Sequence, residues 1–360
     1  MLEGVKVIDF SYYLPGPFAS LRLADLGAEV VKIEPPTGDK MRELADECIF
    51  AANNAGKQSI SLNLKLEEDV RIAKSLIKEA DVIIESFRPG VMKRLGLGYD
   101  EISQINPAII YCSISGYGQN SPASLLGSHD LNYMALTGVL AQLKDSQGRP
   151  VHPTITMADF IGSLHAVEQM IAALYARERT GKGRYLDLSL VDGLLSLMTN
   201  HFVQEHKTKS KNGIQLLAGI IVSYYLYETK DGRYVSLAAL EPNFWKNFCS
   251  AVGHPEWCEH HISPANDDNV IFREIKQLFQ SKTLEQWAEF SMQIDCCLTP
   301  VFETDEAKIL FSSERYRKMI HIEEDRIEVA TCYDRELLKK RSHAPKINEH
   351  KQDFIYSIGE

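Results

Sequence analysis

The sequence is short of several things, and each shortage excludes something. Nothing in its 360 residues approaches the uninterrupted apolar run that a membrane span needs. The N-terminus lacks the apolar core of a signal peptide, because Glu3, Lys6 and Asp9 interrupt it. Cysteine occurs 7 times, an odd number in a long chain without a secretory signal. That fits a reducing, cytoplasmic setting and no disulfide framework. Basic residues are outnumbered, 39 against 49 acidic, for a net charge of −10, which argues against nonspecific nucleic-acid binding. The dinucleotide fingerprint Gly-x-Gly-x-x-Gly is missing after the first strand, where the chain reads Ser11-Tyr-Tyr-Leu-Pro-Gly-Pro17. An NAD enzyme is therefore excluded. Cys258, His260 and His261 have no second ligand pair nearby, and Cys296-Cys297 resembles neither a nucleophile nor a ligand set, so no metal is expected.

What is present is an alternation of strands and helices. Strands are predicted over 5–10, 29–34, 59–64, 81–86 and 108–113, with helices over 15–26 and 67–79 between them. This rhythm indicates βαβ units and a parallel sheet, an α/β fold with a Rossmann-like first domain. The strongest helix follows Asp159: Phe160, Leu164, Val167, Ile171 and Leu174 keep helical spacing, and Gly181 ends it. A strand over 184–190 and a helix over 191–205 complete this half. The polar run Lys207–Gly213 reads as an exposed linker. Beyond it the pattern changes to a hairpin around Lys230-Asp-Gly and helices over 243–252, 269–280 and 284–294. The expected organisation is a large domain over 1–206, completed by a C-terminal segment 325–360. A smaller α+β domain spans 213–311, with linkers at 207–212 and 312–324.

Three residues invite a chemical reading. His129 lies in Gly127-Ser-His-Asp-Leu-Asn-Tyr-Met-Ala-Leu-Thr-Gly138, where Ser128 reads as a helix N-cap and His129 falls in the first turn. The helix dipole there favours neutral imidazole, the form a general base needs, and the turn's free N–H groups could hold an oxyanion. Asp159 opens the strongest helix, and Glu241 precedes Pro242 at a third helix start. An imidazole and two carboxylates at element ends suit acid–base chemistry. Each also has a plain structural reading: Asp159 as an N-cap, Glu241 as a helix start, His129 as a structural histidine.

The surrounding segments decide between these readings. The His129 segment resembles the His-containing signature of α-methylacyl-CoA racemases, a branch of the class III CoA-transferase (CaiB/BaiF) family. Other matching segments follow in order: Val5-Lys-Val-Ile-Asp-Phe, Ala24-Asp-Leu-Gly-Ala-Glu-Val-Val-Lys-Ile-Glu-Pro-Pro, Asn63-Leu-Lys, Glu85-Ser-Phe-Arg-Pro-Gly-Val-Met-Lys-Arg-Leu-Gly, Ser115-Gly-Tyr-Gly-Gln, Arg179-Thr-Gly-Lys-Gly, Asp231-Gly-Arg-Tyr-Val and Leu240-Glu-Pro-Asn-Phe-Trp. Ala344-Pro-Lys-Ile-Asn-Glu-His resembles the family's ending, with Ile-Asn in place of Leu-Gly. The stretch before Tyr224, Leu217-Ala-Gly-Ile-Ile-Val-Ser, has neither the transferases' glycine-rich loop nor the Gly-Gly usual in racemases.

The resemblance implies an interlocked homodimer acting on an acyl-CoA thioester, with coenzyme A as part of the substrate and no further cofactor, nucleic-acid or membrane partner. It implies inversion at the α-carbon of a 2-methylacyl-CoA, with His129 and Asp159 as proton carriers on opposite faces. Glu241 would hold His129, and the Asp130 N–H would donate to the thioester oxygen. Candidate contacts to coenzyme A are Arg42, Lys57, Arg88 and Arg94 for the phosphates, and Gly116, Tyr117 and Gly118 for the pantetheine arm. The rival readings are a CoA-transferase, in which Asp159 becomes a covalent intermediate, and a CoA-binding protein without turnover.

Overall fold

The strands expected in the first half pair as one sheet in the computed structural model, which describes all residues except 146, 212, 318, 324–325, 330–340 and 359–360. They are β1 (Lys6–Asp9), β2 (Glu29–Glu34), β3 (Gln58–Ser61), β4 (Val82–Glu85), β5 (Ile110–Ser115) and β6 (Arg184–Ser189). Their spatial order is β3-β2-β1-β4-β5-β6, and every pairing is parallel. Successive side chains of a strand point to opposite faces. Val7, Val30, Val82 and Ile84 therefore enter one apolar core, and Ile8, Val31, Ile33 and Ile83 enter another. Burial on both faces explains why these strands read as continuous apolar runs.

Helices cover the two faces. Pro15 starts α1 (Pro15–Asp25), whose Ala19 and Leu23 join the first core, while α2 (Glu67–Lys78) gives Ala73 and Ile77 to the second. On the first face also lie α3 (Asp130–Thr137), α4 (Met157–Thr180) and α5 (Leu190–Leu197). The helix predicted over 191–205 is interrupted at Met198, and a separate helix, Thr199–Thr208, runs into the expected linker. No helix of the described residues is long and apolar enough to cross a membrane.

Two compact units result, Met1–Thr199 with Ser313–Glu360, and Asn200–Ser312. The boundary thus falls ahead of the polar run. The smaller unit holds an antiparallel sheet of β7 (Tyr224–Glu228), β8 (Tyr234–Ala238) and β9 (Leu298–Pro300). Against it pack α6 (Pro242–Ala251), α7 (Val270–Phe279) and α8 (Leu284–Ser291), through Trp245, Phe248, Phe279 and Trp287. The three residues of β9 are too few to show a period, so sequence reading passes over them. The segment expected as a linker at 312–324 contains β10 (Ile320–Glu323), which pairs with β11 (Arg326–Val329).

Residues 342–350 return to the open edge of β3. Gly56 N–H donates to the Ser342 carbonyl at 3.0 Å, and His350 N–H to the Ser59 carbonyl at 3.0 Å. Ser61 N–H donates to Asn348 Oδ1 at 2.9 Å. An edge strand needs such cover to avoid pairing with a stranger. Within the expected C-terminal segment, residues 325, 330–340 and 359–360 lie outside the described residues.

Behind the carboxyl ends of β1 and β2 sits a charge cluster closed to water. Lys57 Nζ lies 3.3 Å from Asp9 Oδ2, and Lys32 Nζ lies 3.1 Å from Asp39 Oδ2, all four side chains being buried. Burial opposes ionisation of Asp9, but the Lys32 and Lys57 charges together with hydrogen bonds from Ser11 and Ser20 outweigh it and hold its carboxyl below the usual range. Removing one member of such a pair strands the other. Lys57→Met should therefore lower unfolding stability by about 3–5 kcal/mol in urea titration, and a loss under about 1 kcal/mol would show that Asp9 does not depend on it.

Candidate active site

In an open parallel sheet, the crevice for a ligand opens at the carboxyl ends of strands whose connections run in opposite directions. Here that point lies between β1 and β4. The loops following β1, β4 and β5 meet the starts of α3 and α4 around a cleft of about 500 Å³. Tyr12 and Tyr13 come from the first loop, Phe87 and Arg88 from the second, Gly116, Tyr117 and Ser128 from the third. His129, Asn132, Tyr133 and Asp159 come from the helix starts. His129 and Asp159, thirty residues apart in sequence, thus share one cleft.

The helix caps differ from expectation. His129 is itself the N-cap of α3, in extended conformation (φ −127°, ψ 176°), and Ser128 precedes the helix. Ser128 is occupied elsewhere: its hydroxyl is 2.7 Å from the Tyr117 hydroxyl, and its carbonyl accepts from Tyr133 at 3.1 Å. Asp159 is not a cap either. Thr156 caps α4, and Asp159 is the helix's third residue.

Asp130, whose N–H is the expected oxyanion donor, is the first residue of α3. It is buried and is not among the cleft-lining residues. Its carboxylate accepts the Asp159 backbone N–H at 3.0 Å. That bond joins the first turns of α3 and α4. Burial, and then the Asp130 charge, push the Asp159 carboxyl up to about 7. The same charges, behind burial and Tyr117, push the Tyr133 phenol up to about 12.

The expected contacts to coenzyme A divide. Arg88 lines the cleft and lies against Gly127, where a Cβ would be 3.2 Å from its Nη2. Arg94 is exposed at the end of the short helix Val91–Arg94. Gly116 and Tyr117 line the cleft, and a Cβ on Gly116 would collide with the Tyr133 hydroxyl. Gly118 lies outside the cleft lining, in a turn with φ +79°. Arg42 and Lys57 are spent inside the fold. Arg42 grips Glu34 with two nitrogens at 2.8 Å, donates to the Pro345 carbonyl and stacks on Phe50. All three Lys57 donors are used, by Asp9, the Pro17 carbonyl and Asn54. Lys57 therefore has no donor left for a ligand, and Arg42 commits three of its five to the fold. Met134 and Met198 are buried in the first core.

Glu241 belongs to the smaller unit, where it is the exposed N-cap of α6 ahead of Pro242. The tyrosines at 12, 13 and 133 drew no notice in the sequence. Tyr12 and Tyr13 could have been found from their position after the first strand. Tyr13 also adopts the left-handed region (φ 65°), an unfavourable choice for a bulky residue and a frequent mark of a site.

Comparison with known proteins places this cleft in a family. The profile of CoA-transferase family III matches residues 2–351. The chain belongs to CoA-transferase family III. An alpha-methylacyl-CoA racemase of Mus musculus is 34% identical over 316 residues, covering 85% of this chain and 79% of the racemase. An acetyl-CoA:oxalate CoA-transferase of Acetobacter aceti is 33% identical over 319 residues, covering 85% of this chain and 82% of its own. The crystal structure of a CaiB/BaiF family protein from Brucella suis matches with a TM-score of 0.83 at 25% identity over 99% of both chains. This family III member therefore has relatives of both chemistries, isomerisation and CoA transfer.

The raised Asp159 value has a consequence for stability. Between its ordinary value of 3.8 and about 7, the folded chain holds a proton that the unfolded chain releases. Stability consequently falls as pH rises through that window. Asp159→Asn should stabilise the fold at about pH 8 and change little at about pH 4, as read from urea midpoints. An equal effect at both pH values would show that the carboxyl is not held protonated by the fold.

Proposed function

We propose that this protein is an acyl-CoA racemase, inverting the α-carbon of a 2-methylacyl-CoA thioester by proton transfer through an enolate. The observation that carries the reading is the placement of His129 and Asp159 on one cleft, with Asp159 pushed up to about 7. One of the two removes the α-proton, the electron pair passes into the thioester as an enolate, and the other returns a proton to the opposite face. A carboxyl that titrates near 7 can both accept and give a proton at neutral pH, and each such positioned group contributes roughly 10²–10⁴-fold. The first-turn N–H groups of α3, the Asp130 amide included, are the proposed donors to the thioester oxygen. Arg88 and Arg94 are the proposed phosphate contacts. The working enzyme is proposed as a homodimer in which Glu241 of the partner subunit orients His129.

A second reading keeps the same cleft. In a CoA-transferase, Asp159 attacks an acyl-CoA and becomes a covalent thioester of coenzyme A. The transferase among the relatives favours it. Against it, burial and the Asp130 charge disfavour the ionised carboxylate that a nucleophile needs.

Separate epimers of a 2-methylacyl-CoA incubated in D₂O distinguish the two. The racemase reading expects α-deuterium uptake and interconversion by the unmodified protein, and no epimerisation by Asp159→Asn. His129→Ala and Asp159→Asn should retain exchange on opposite epimers. Transfer of CoA to a free carboxylic acid without α-deuterium uptake, or an Asp159 adduct trapped by hydroxylamine during turnover, would overturn it. The dimer is tested by sedimentation: an active monomer in analytical ultracentrifugation contradicts it.

A further inference from the structure

The peptide that joins Ser128 to His129 is gripped at both ends by side chains of α3. Its carbonyl accepts the Tyr133 hydroxyl at 3.1 Å, and its N–H donates to Asn132 Oδ1 at 3.0 Å. A third bond fixes the preceding side chain, Ser128 Oγ being 2.7 Å from the Tyr117 hydroxyl. The Tyr117 and Tyr133 rings meet edge-on with centroids 5.3 Å apart. Gly116 closes the arrangement from the other side, since any Cβ there would occupy the place of the Tyr133 hydroxyl. Tyr133 is buried, and with its phenol pushed up to about 12 it remains a donor at any working pH.

An N-cap residue gives its carbonyl to the helical ladder but not its N–H, so the helix alone does not fix the peptide before it. His129 is such a residue, and it is exposed at the cleft. The direction of its Cα–Cβ bond depends on the orientation of the peptide before it. Proton transfer tolerates little error in that direction, because displacement of about 1 Å from the reacting atom costs on the order of 10²-fold. The usual capping box ties only the N-cap and the third helical residue. Here a tyrosine one position further on also ties the residue before the cap.

We propose that Asn132, Tyr133 and Tyr117 form a clamp on the 128–129 peptide and act as positioning residues for His129, setting the face from which its imidazole meets the α-carbon. The proposal rests on the racemase reading for its catalytic consequence. The clamp itself is a property of the fold and can be tested without turnover.

Two measurements test it. The first is α-deuterium exchange of each epimer, with His129→Ala identifying the epimer that His129 serves. Tyr133→Phe keeps the ring and removes the hydroxyl, and Asn132→Ala removes the acceptor. In each, the ratio of His129-served to Asp159-served exchange should fall about three- to tenfold, the size of one lost hydrogen bond. An equal fall for both epimers would mean a general packing role and overturn the proposal. The second is native-state amide exchange at His129 in protein labelled with [¹⁵N]histidine. The Tyr133 hydroxyl bonds the carbonyl of that peptide and not its N–H, so faster exchange of the N–H in Tyr133→Phe shows the clamp acting as a unit. Unchanged protection overturns it. If the unmodified protein exchanges neither epimer, the racemase reading falls, and the amide measurement still decides whether the clamp exists.

Discussion

Asp9, Lys32, Glu34, Asp39 and Lys57 lie closed to water at the carboxyl ends of the first strands, and the surrounding chain is arranged to satisfy them. Buried charges are tolerable only when paired and hydrogen-bonded, so each one dictates where a neighbouring segment must run. Lys32 takes the Ser11 carbonyl and Asp9 takes the Ser11 N–H, which sets the path of the loop carrying Tyr12 and Tyr13. Asp39 receives the Tyr13 N–H. Glu34 holds Arg42, and Arg42 in turn holds the Pro345 carbonyl, so the C-terminal segment is drawn to the same cluster. The first wall of the cleft and the docking of the tail are two results of one electrostatic constraint.

On the opposite wall a second competition sets the chemistry. Asp159 stands in the first turn of a long helix, where the dipole favours its ionised form by roughly 0.3–1 kcal/mol. Burial and the Asp130 carboxylate act the other way and raise it to about 7. A tenfold change in a protonation equilibrium is worth about 1.36 kcal/mol, so the opposing effects exceed the dipole severalfold. The Asp130 carboxylate exerts its charge at close range because it also accepts the Asp159 N–H. One hydrogen bond thereby fixes the spacing of two helix starts and keeps a proton on the carboxyl between them.

Strand and helix periodicity was legible along the first half, because parallel strands buried on both faces leave unbroken apolar runs and their helices leave 3.6-residue stripes. Residues that punctuate elements were also legible: Pro15 starts α1 and Gly181 ends α4. Where several residues could cap a helix, the reading failed. Ser128 is a better intrinsic cap than His129, yet two tyrosines claim it. Cations were the least legible. Arg42, Lys57, Arg88 and Arg94 look alike in sequence, and whether a cation faces solvent or a carboxylate depends on partners far along the chain, such as Asp9 for Lys57 and Pro345 for Arg42.

The sequence by itself determined the class of fold, the alternation that yields a parallel sheet, and, through its matching segments, the family. These are local or cumulative signals, carried by residue spacing and by stretches of consecutive residues. Tertiary structure alone decided that His129 and Asp159 share a cleft, that the Asp130 carboxylate accepts the Asp159 N–H, and that Arg42 and Lys57 are paired with buried carboxylates. Each of those outcomes depends on the burial of a charge beside a partner distant in sequence. Burial is a property of the packed chain, and no spacing along the sequence encodes it.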